Sequence, residues 1–562
     1  MSNQPGLTWL GKVVSFLFIV GLLGLGGYVL TNKSHHSTDF ADNSTPGTGE
    51  RQVATDNGPA PKSIVEPLSE PTRLPPPVAY VPKDNLVEIE LSEYAGYAGL
   101  IAANGGLEPN DDSFFAKKYG FKLKIRLSEA ESWPALNSGK MAASATTADV
   151  LAVYGRQFQV VVPAQIGFSR GADGVVVDSD IKRINSLKGK IVATSQFTEA
   201  DFFLRYLSQE AGLGVKILRD LSAVPASDSV NVVYCEDAFA AGDLFLDEVK
   251  SGRKRLAGCV SWAPKTTEVV DASGGKATML TTNRNLLIIA DILIVNRGFA
   301  EQHPKMVDGL VHGLIEGNRM VRDNPDSQID VVAKAFKWDH AKAQAELAKV
   351  HLANLPENLA FFSGAIDAAG SFGGIYESAV YAYGKDLIKD PADPSRFLDL
   401  KHLEVLNKSG EYAKQQVAIA PIRTEGKQTI EDNPLLSRDI RFYFEPNSAK
   451  LDMSNPENNK KLEDIKRLLQ VSPGSTILLR GHVDNALVPE FRKQGGDAFV
   501  RKMAMSAMEL SRNRALEVKQ EVVAKFGVDA TRLEPQGRGW EEPVSTDSEK
   551  NRRVEVQWFT VE

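Results

Sequence analysis

Hydroxyls, carboxylates and aromatic rings gather at three places where a strand-like run gives way to a helix-like one. Ser92, Glu93, Tyr94 and Tyr97 follow the run Val87-Glu88-Ile89-Glu90-Leu91. Thr146, Thr147 and Asp149 follow Ala145, and Thr194, Ser195, Gln196 and Thr198 follow Val192 and Ala193. Open parallel sheets bind small molecules at such junctions, where strand carboxyl ends meet the free N–H groups of helix N-termini. Asp149, Asp173 and Asp237 offer carboxylates suited to an amine, whereas helix N-termini by themselves favour an anion. Tyr94, Tyr97, Trp133 and Trp262 offer aromatic walls for an apolar body or a ring. A plainer account competes at every position. Ser, Thr and Asp are ordinary helix caps, and Trp133 and Trp262, each shortly before a proline, are ordinary packing residues. The ligand class expected is a small polar or zwitterionic solute.

No catalytic set accompanies these residues. Nucleophile-elbow, P-loop and H-E-x-x-H patterns are absent from the sequence. The eight histidines show no metal-ligand spacing, and the adjacent His35 and His36 lie in a polar segment. Neither an enzyme, a cofactor nor a metal is expected. Cys235 and Cys259, the only two cysteines, flank a helix-like stretch and suit either one disulfide or two buried thiols.

The elements that must hold these groups run from about residue 85 to 407. Short β-rich runs at 87–91, 122–127, 232–234 and 287–295 alternate with helical stretches at 98–103 and 200–208. Such alternation predicts a parallel α/β fold, and its length exceeds one comfortable core, so two lobes are expected. A polar connector at 408–434 leads to a closing domain at 435–562. That domain reads β-α-β-α-β, over 440–444, 459–469, 476–481, 503–526 and 554–559. Upstream, after residues 1–12, residues 13–30 form an uninterrupted uncharged apolar run, long enough to cross a bilayer as one helix, with a cleaved signal peptide as the competing reading. Residues 31–84, rich in Ser, Thr, Asn, Gly and Pro, are expected to be a disordered tether. A formal net charge of −7 and no basic stripe argue against a nucleic-acid partner.

Several short motifs in the middle of the chain occur in a telling order. They include Asn104-Gly105-Gly106-Leu107, Phe115-Ala116-Lys117-Lys118-Tyr119-Gly120, Leu136-Asn137-Ser138-Gly139 and Thr146-Thr147-Ala148-Asp149. Leu187-Lys188-Gly189-Lys190, Trp262-Ala263-Pro264 and Asp291-Ile292-Leu293-Ile294-Val295 come later. Over about 85–330 this order resembles periplasmic solute-binding proteins of the nitrate, sulfonate and thiamine-precursor type, which serve ABC transporters. The resemblance implies two α/β lobes closing over a solute. Loop residues Tyr94, Tyr97, Thr146, Thr147, Asp149, Asp173, Thr194, Ser195, Asp237 and Trp262 would be its contacts, and an inner-membrane permease a partner. Related thiamine-pyrimidine synthases need a cysteine-rich segment, which two separated cysteines do not supply.

The end of the chain carries the most specific pattern. Phe442-Tyr443-Phe444-Glu445-Pro446 leads to Gly481-His482-Val483-Asp484-Asn485, then Leu510-Ser511-Arg512-Asn513-Arg514-Ala515, and finally Asn551-Arg552-Arg553-Val554-Glu555. This series resembles the OmpA-like peptidoglycan-binding domain. In that family an Asp and the Arg before Ala hold the diaminopimelate of peptidoglycan, and these fall on Asp484 and Arg514. Val483 stands for the usual Thr, Ala507 for a common Asn, and some 15 extra residues separate the pair. Arg552 and Arg553 are expected to be structural, pairing with Glu555 or a carbonyl. The resemblance implies a bacterial inner-membrane protein with a cytoplasmic start at 1–12, one span and its bulk in the periplasm. A wall tether whose α/β domain docks a protein is the rival. An ion-driven stator is not expected, because residues 13–30 hold no ionisable group.

Overall fold

The computed structural model describes residues 63–128, 132–365, 370–419, 435–445, 448–472 and 474–559. The expected cytoplasmic start, the 13–30 span and the tether as far as 62 lie outside the described residues, as does the connector at 420–434. Among the described residues no helix is long and apolar enough to cross a membrane.

Two six-stranded sheets form two lobes. The first lies in the order Val350–Leu352, Val160–Ser169, Ala290–Asn296, Ala143–Thr147, Leu86–Leu91, Lys122–Leu127. Its last three strands are parallel, and the others join antiparallel. The second lies in the order Ala277–Thr282, Asp173–Asp178, Gly258–Trp262, Ile191–Ser195, Ser229–Cys235, Gly214–Ile217. Every residue of Val160–Ser169 and of Ala290–Asn296 is buried, the consequence of sheets covered by helices on both faces. That burial explains their near-continuous apolar runs. The chain passes between lobes at 170–172 and again at 283–289. A third tie is the helix Phe372–Leu387, which packs on Ala148–Tyr154 of the first lobe and Glu199–Glu210 of the second.

Asn283 locks the two crossings together. Its Oδ1 accepts from Ser169 Oγ at 3.2 Å and from Gly171 N at 2.9 Å, while its Nδ2 donates to Ser169 O at 3.1 Å and Asp173 Oδ2 at 3.2 Å. One side chain thereby satisfies the loose backbone of both connections.

The closing domain has one strand more than expected. Its sheet runs Leu436–Ile440, Val554–Phe559, Thr476–Gly481, Leu533–Gly537, with helices Pro456–Val471 and Val488–Phe526. Leu533–Gly537 escapes a sequence reading because Pro535 and Gly537 interrupt it. As an edge strand it tolerates a missing amide donor. The run expected at 440–444 is a strand only to Ile440. The run expected at 287–295 becomes a strand only from Ala290, since 287–289 still belong to the crossing between lobes.

The tether also ends sooner than its composition suggests. Val65 N donates to Tyr234 O at 2.9 Å, and Leu74 is buried with its N–H on Gln157 Oε1 at 2.9 Å. Tyr80 packs edge-on against Phe299 at 5.5 Å. A few large side chains and the pre-extended Pro75-Pro76-Pro77 suffice to hold residues 63–84 on the lobes. After the helix Lys401–Ser409, Tyr412 is buried and donates to Glu316 Oε2 at 3.1 Å, so the first part of the 408–434 connector is packed as well. Cys235 and Cys259 are both free and buried. Burial, helped by the Asp237 charge, pushes the Cys235 thiol up to about 12.

Candidate functional site

Strands Ala143–Thr147 and Ile191–Ser195 end facing each other from the two lobes, and the space between them is a cavity of about 220 Å³. A smaller chamber of about 20 Å³ adjoins it, with Tyr94, Tyr97, Thr147, Asp173, Trp262 and Asp291 in its wall. The larger cavity takes Thr146, Ser195 and Asp237 into its lining, together with Trp133 and Tyr154. Eight of the ten loop residues singled out in the sequence therefore meet at one place. The other two stand behind the walls. Thr194 is fully buried and its hydroxyl donates to Val260 O at 3.2 Å. Asp149 is fully buried in the first turn of Ala148–Tyr154.

Capping accounts for one of these residues and fails for another. Asp237 accepts from Ala240 N at 2.7 Å, as a helix cap does. Thr147 sits in the cap position of Ala148–Tyr154, yet its buried side chain makes no capping bond. The hydroxyls of Ser195 and Thr198 pair with each other at 3.0 Å.

The small chamber is built around two aromatic rings and two carboxyl groups. Tyr94 and Tyr97 meet edge to face at 5.2 Å. Tyr97 donates its hydroxyl to Asp291 Oδ1 at 3.4 Å, leaving Asp291 Oδ2 buried with no partner. Asp173 accepts from Asn283 through Oδ2, and its Oδ1 is likewise buried and unpartnered. Asp173 is 2 % exposed and Asp291 3 %. Burying a carboxylate without a counter-charge is costly, and the cost appears as a resistance to ionisation. Burial pushes the Asp173 carboxyl up to about 7 against the pull of Ser169, its own amide and Asn283. Burial and then the Asp173 charge hold Asp291 well above the ordinary carboxylate range. Burial likewise lifts Asp149 to about 7, opposed by the Thr147 hydroxyl.

Sequence reasoning missed Asp291, Glu199 and Glu236, all of which line these cavities. For Asp291 a signal existed: it is the one charged residue in the strand Ala290–Asn296, and an acid inside such a run must have a reason to be there. Glu199 and Glu236 look like ordinary first-turn and loop acids and carry no comparable mark.

In the closing domain, Asp484, Arg514 and Arg552 come together. The helix Val488–Phe526 crosses directly over the strands at Gly481 and Gly537, which are register neighbours. A Cβ at either glycine would collide with the helix backbone at Ser511 or Met508, so this close approach requires both glycines. It brings Arg514 to the loop that carries Asp484. Asp484 Oδ2 accepts from Arg552 Nε at 2.8 Å, and its Oδ1 accepts from Ala486 N at 3.1 Å. The Arg514 guanidinium lies 4.8 Å over the Phe444 ring and donates to Ser448 O at 3.4 Å. Burial, and the nearby Arg552 charge, pull Arg514 below its ordinary value, while Asp484 opposes them. Arg552 thus pairs with Asp484 rather than Glu555. Arg553 pairs with Asp439 at 2.9 Å and also reaches the Glu542 carbonyl.

The extra residues between Asp484 and Arg514 form the first part of this helix, which bends at Gly495 and Gly496. Gly496 has φ 62°, a conformation that favours glycine. The bend returns Phe491 to within 5.9 Å of Phe499 and 6.1 Å of Trp540.

Residues 443–557 match the OmpA family. Outer membrane protein Omp38 of Acinetobacter baumannii is 28% identical over 140 residues, covering 24% of this chain; the chain spans 33% of the length of that relative. Among solved structures, the periplasmic aliphatic sulphonate binding protein SsuA from Escherichia coli aligns over 62% of this chain and 99% of its own, with 14% identity and a TM-score of 0.42. A sulfonate-binding protein from Methylobacillus flagellatus aligns over 59% and 96%, with 16% identity and a TM-score of 0.43. The desulfurization enzyme DSZB aligns over 58% and 99%, with 16% identity and a TM-score of 0.38. Likeness at this level says nothing of what this chain binds. The segment similar to the OmpA family is thus the one that carries Asp484, Arg514 and Arg552.

Proposed function

We propose that this chain is a cell-envelope protein that captures a small solute between its two lobes and grips peptidoglycan with its last domain. The observation that carries the reading is a single pairing within one chain. An interlobe cavity leaves buried polar atoms unpartnered, and the segment that follows matches the OmpA family. A zwitterionic amino-acid end, as in diaminopimelate, presents an ammonium to Asp484 and a carboxylate to Arg514. The planar guanidinium matches a carboxylate bidentately. Residues 13–30 serve as a single inner-membrane anchor, which leaves the bulk of the chain in the periplasm. From there the lobes deliver solute to an ABC permease or report their occupancy to another inner-membrane protein.

Two experiments test the halves separately. The purified protein co-sediments with sacculi, and Asp484→Ala or Arg514→Ala abolishes this without lowering the melting temperature. Unchanged sedimentation removes the assignment. For the lobes, mass spectrometry of molecules released from the purified protein identifies the solute, and adding it back raises the melting temperature. Failure of a broad metabolite screen leaves the rival, a tether whose lobes dock a protein.

A further inference from the structure

Among the described residues, the two adjoining cavities are lined by Asp173, Asp291, Glu199, Glu236 and Asp237, and by no Lys, Arg or His. Arg205, which lies nearby in sequence, is already taken: it holds Asp201 at 2.8 Å and the Tyr234 hydroxyl at 2.7 Å. Arg170, on the first crossing, turns instead to the Arg284 carbonyl at 2.6 Å. The acids of the small chamber are thus left facing each other. Asp173 Oδ1 and Asp291 Oδ2 line it, each buried and without a hydrogen-bond donor, and Tyr94 adds a third unpartnered oxygen. Two buried carboxyl oxygens in one space, beside a hydroxyl that can accept as well as donate, call for a group that brings more than one donor.

Resting on the reading of the cleft as a solute site, we propose that it takes a small organic cation bearing N–H donors, a protonated amine, amidine or guanidine. Asp173 and Asp291 are its counter-charges, and Tyr94, Tyr97 and Trp262 form its wall. The chamber of about 20 Å³ exceeds the roughly 10–15 Å³ that one water needs, so it admits an ammonium-sized head. The larger cavity of about 220 Å³ accommodates the rest of the molecule. A cation against the faces of Tyr and Trp gains from their ring quadrupoles, and more so once desolvated. The helix N-termini that open into the larger cavity favour negative charge, but each carries only about half a unit. Five carboxyl groups outweigh them.

The test uses the full-length protein with agmatine and putrescine as cationic probes, choline as a cation without N–H donors, and ethanesulfonate and nitrate as anions. Agmatine or putrescine is expected to raise the melting temperature and give a calorimetric isotherm, and choline and the anions to do neither. Asp173→Asn and Asp291→Asn should each weaken the amine roughly ten- to hundredfold, since a charge-assisted hydrogen bond is lost. Both variants keep the shape of the chamber and relieve a buried charge, so they should melt no lower than the parent. Tyr97→Phe, which removes only the hydroxyl on Asp291, is a milder second variant and should weaken binding a few-fold. Stabilisation by an anion and not by an amine overturns the cation assignment while the solute-binding reading stands. Choline binding as tightly as agmatine overturns the need for N–H donors. Amine binding unchanged in both Asn variants places the site elsewhere, and no binding by either class removes the solute reading together with this one.

Discussion

The helix Glu199–Glu210 has an acid at each end, and the two ends meet opposite treatment. At its start Glu199 joins a cavity lined by other acids and no base. At its end Glu210, 1 % exposed, receives Arg467 at 2.7 Å and faces Arg438 at 3.7 Å, both from the closing domain. Backbone bonds reinforce that junction: Ile184 N donates to Leu435 O at 3.0 Å and Leu287 N to Val471 O at 2.8 Å. Asn185 exchanges two hydrogen bonds with the Ser437 backbone. Burial raises Glu210 even beside its arginines, whereas Arg467 ends above its ordinary value because Glu210 and Tyr206 outweigh its own burial. The 2.7 Å geometry with a permanently charged guanidinium describes an ion pair, and we take Glu210 as ionised. Burial alone therefore does not mark a binding site. A buried acid whose partners are all resident, like Glu210, is part of the scaffold; in the cleft, Asp173 and Asp291 are buried acids that each keep one oxygen without a hydrogen bond.

Breaking the matched end should have the largest effect. Arg467→Met leaves Glu210 buried with only the more distant Arg438, a loss of about 3–5 kcal/mol by analogy with other broken buried pairs. The closing domain should then melt separately from the lobes in a calorimetric scan. The double variant Arg467→Met with Glu210→Leu should recover most of the loss, because two apolar groups replace two charges. A single variant as stable as the parent would show that the junction is held by its backbone bonds alone.

In the cleft the sign reverses, and pH exposes it. Asp149 and Asp173 titrate near 7 in the folded protein against an ordinary 3.8. Between those values the native state keeps protons that the unfolded chain has released, so stability falls as pH rises, by up to about 1.4 kcal/mol per unit and group. Asp291 beside Asp173 is raised by burial as well, and Arg170 turns instead to the Arg284 carbonyl. The ligand-free protein should melt lower at pH 8 than at pH 5.5, and Asp173→Asn should flatten that slope. Glu555 supplies the contrast. The His482 ring 3.6 Å away and hydrogen bonds from Gln557 and Arg480 outweigh its burial and hold it at about 2, so its contribution is present above 4.5 and fades only as pH falls toward 2. An amine probe that pairs with the ionised acids should bind more tightly at pH 8 than at pH 6.

How much of this could be read in the sequence depended on how local the cause was. Strands Lys122–Leu127 and Thr476–Gly481 stand where their own alternation placed them. Leu533–Gly537 did not show itself, because what makes it a strand is Thr476–Gly481 beside it rather than its own residues. Most of the cleft was legible as polar residues at strand ends, since strand-to-helix junctions converge in this architecture. Asp291 enters the chamber beside Tyr97, 194 positions earlier in the chain, and nothing near it in sequence reports that meeting. The absence of any resident base could be seen only after folding had decided which arginines were occupied. The packing of 63–84 was hidden for a similar reason: Leu74 and Tyr80 find their partners at 157 and 299.

The wall site lies between the two extremes, and it yields the smallest effect. Asp484 already holds Arg552, but this pair is half open to water, with side-chain exposures of 21 % and 48 %. Exposed pairs of this kind contribute about 0.2–1 kcal/mol, so the ammonium of a peptidoglycan stem needs little energy to displace Arg552. Arg514 differs, being largely buried over Phe444 and held only by long bonds to the Ser448 carbonyl. Among the described residues no carboxylate forms an ion pair with it, although the Asp484 charge acts on it from nearby. Arg552→Gln should therefore leave sacculus binding within about fivefold of the parent, tightening it slightly at low salt as Asp484 is freed. Arg514→Gln should abolish binding at any salt. If the Arg552 variant instead fails as completely as the Arg514 variant, Arg552 is a ligand in its own right, and the carboxylate of the stem is held by two guanidinium groups rather than one.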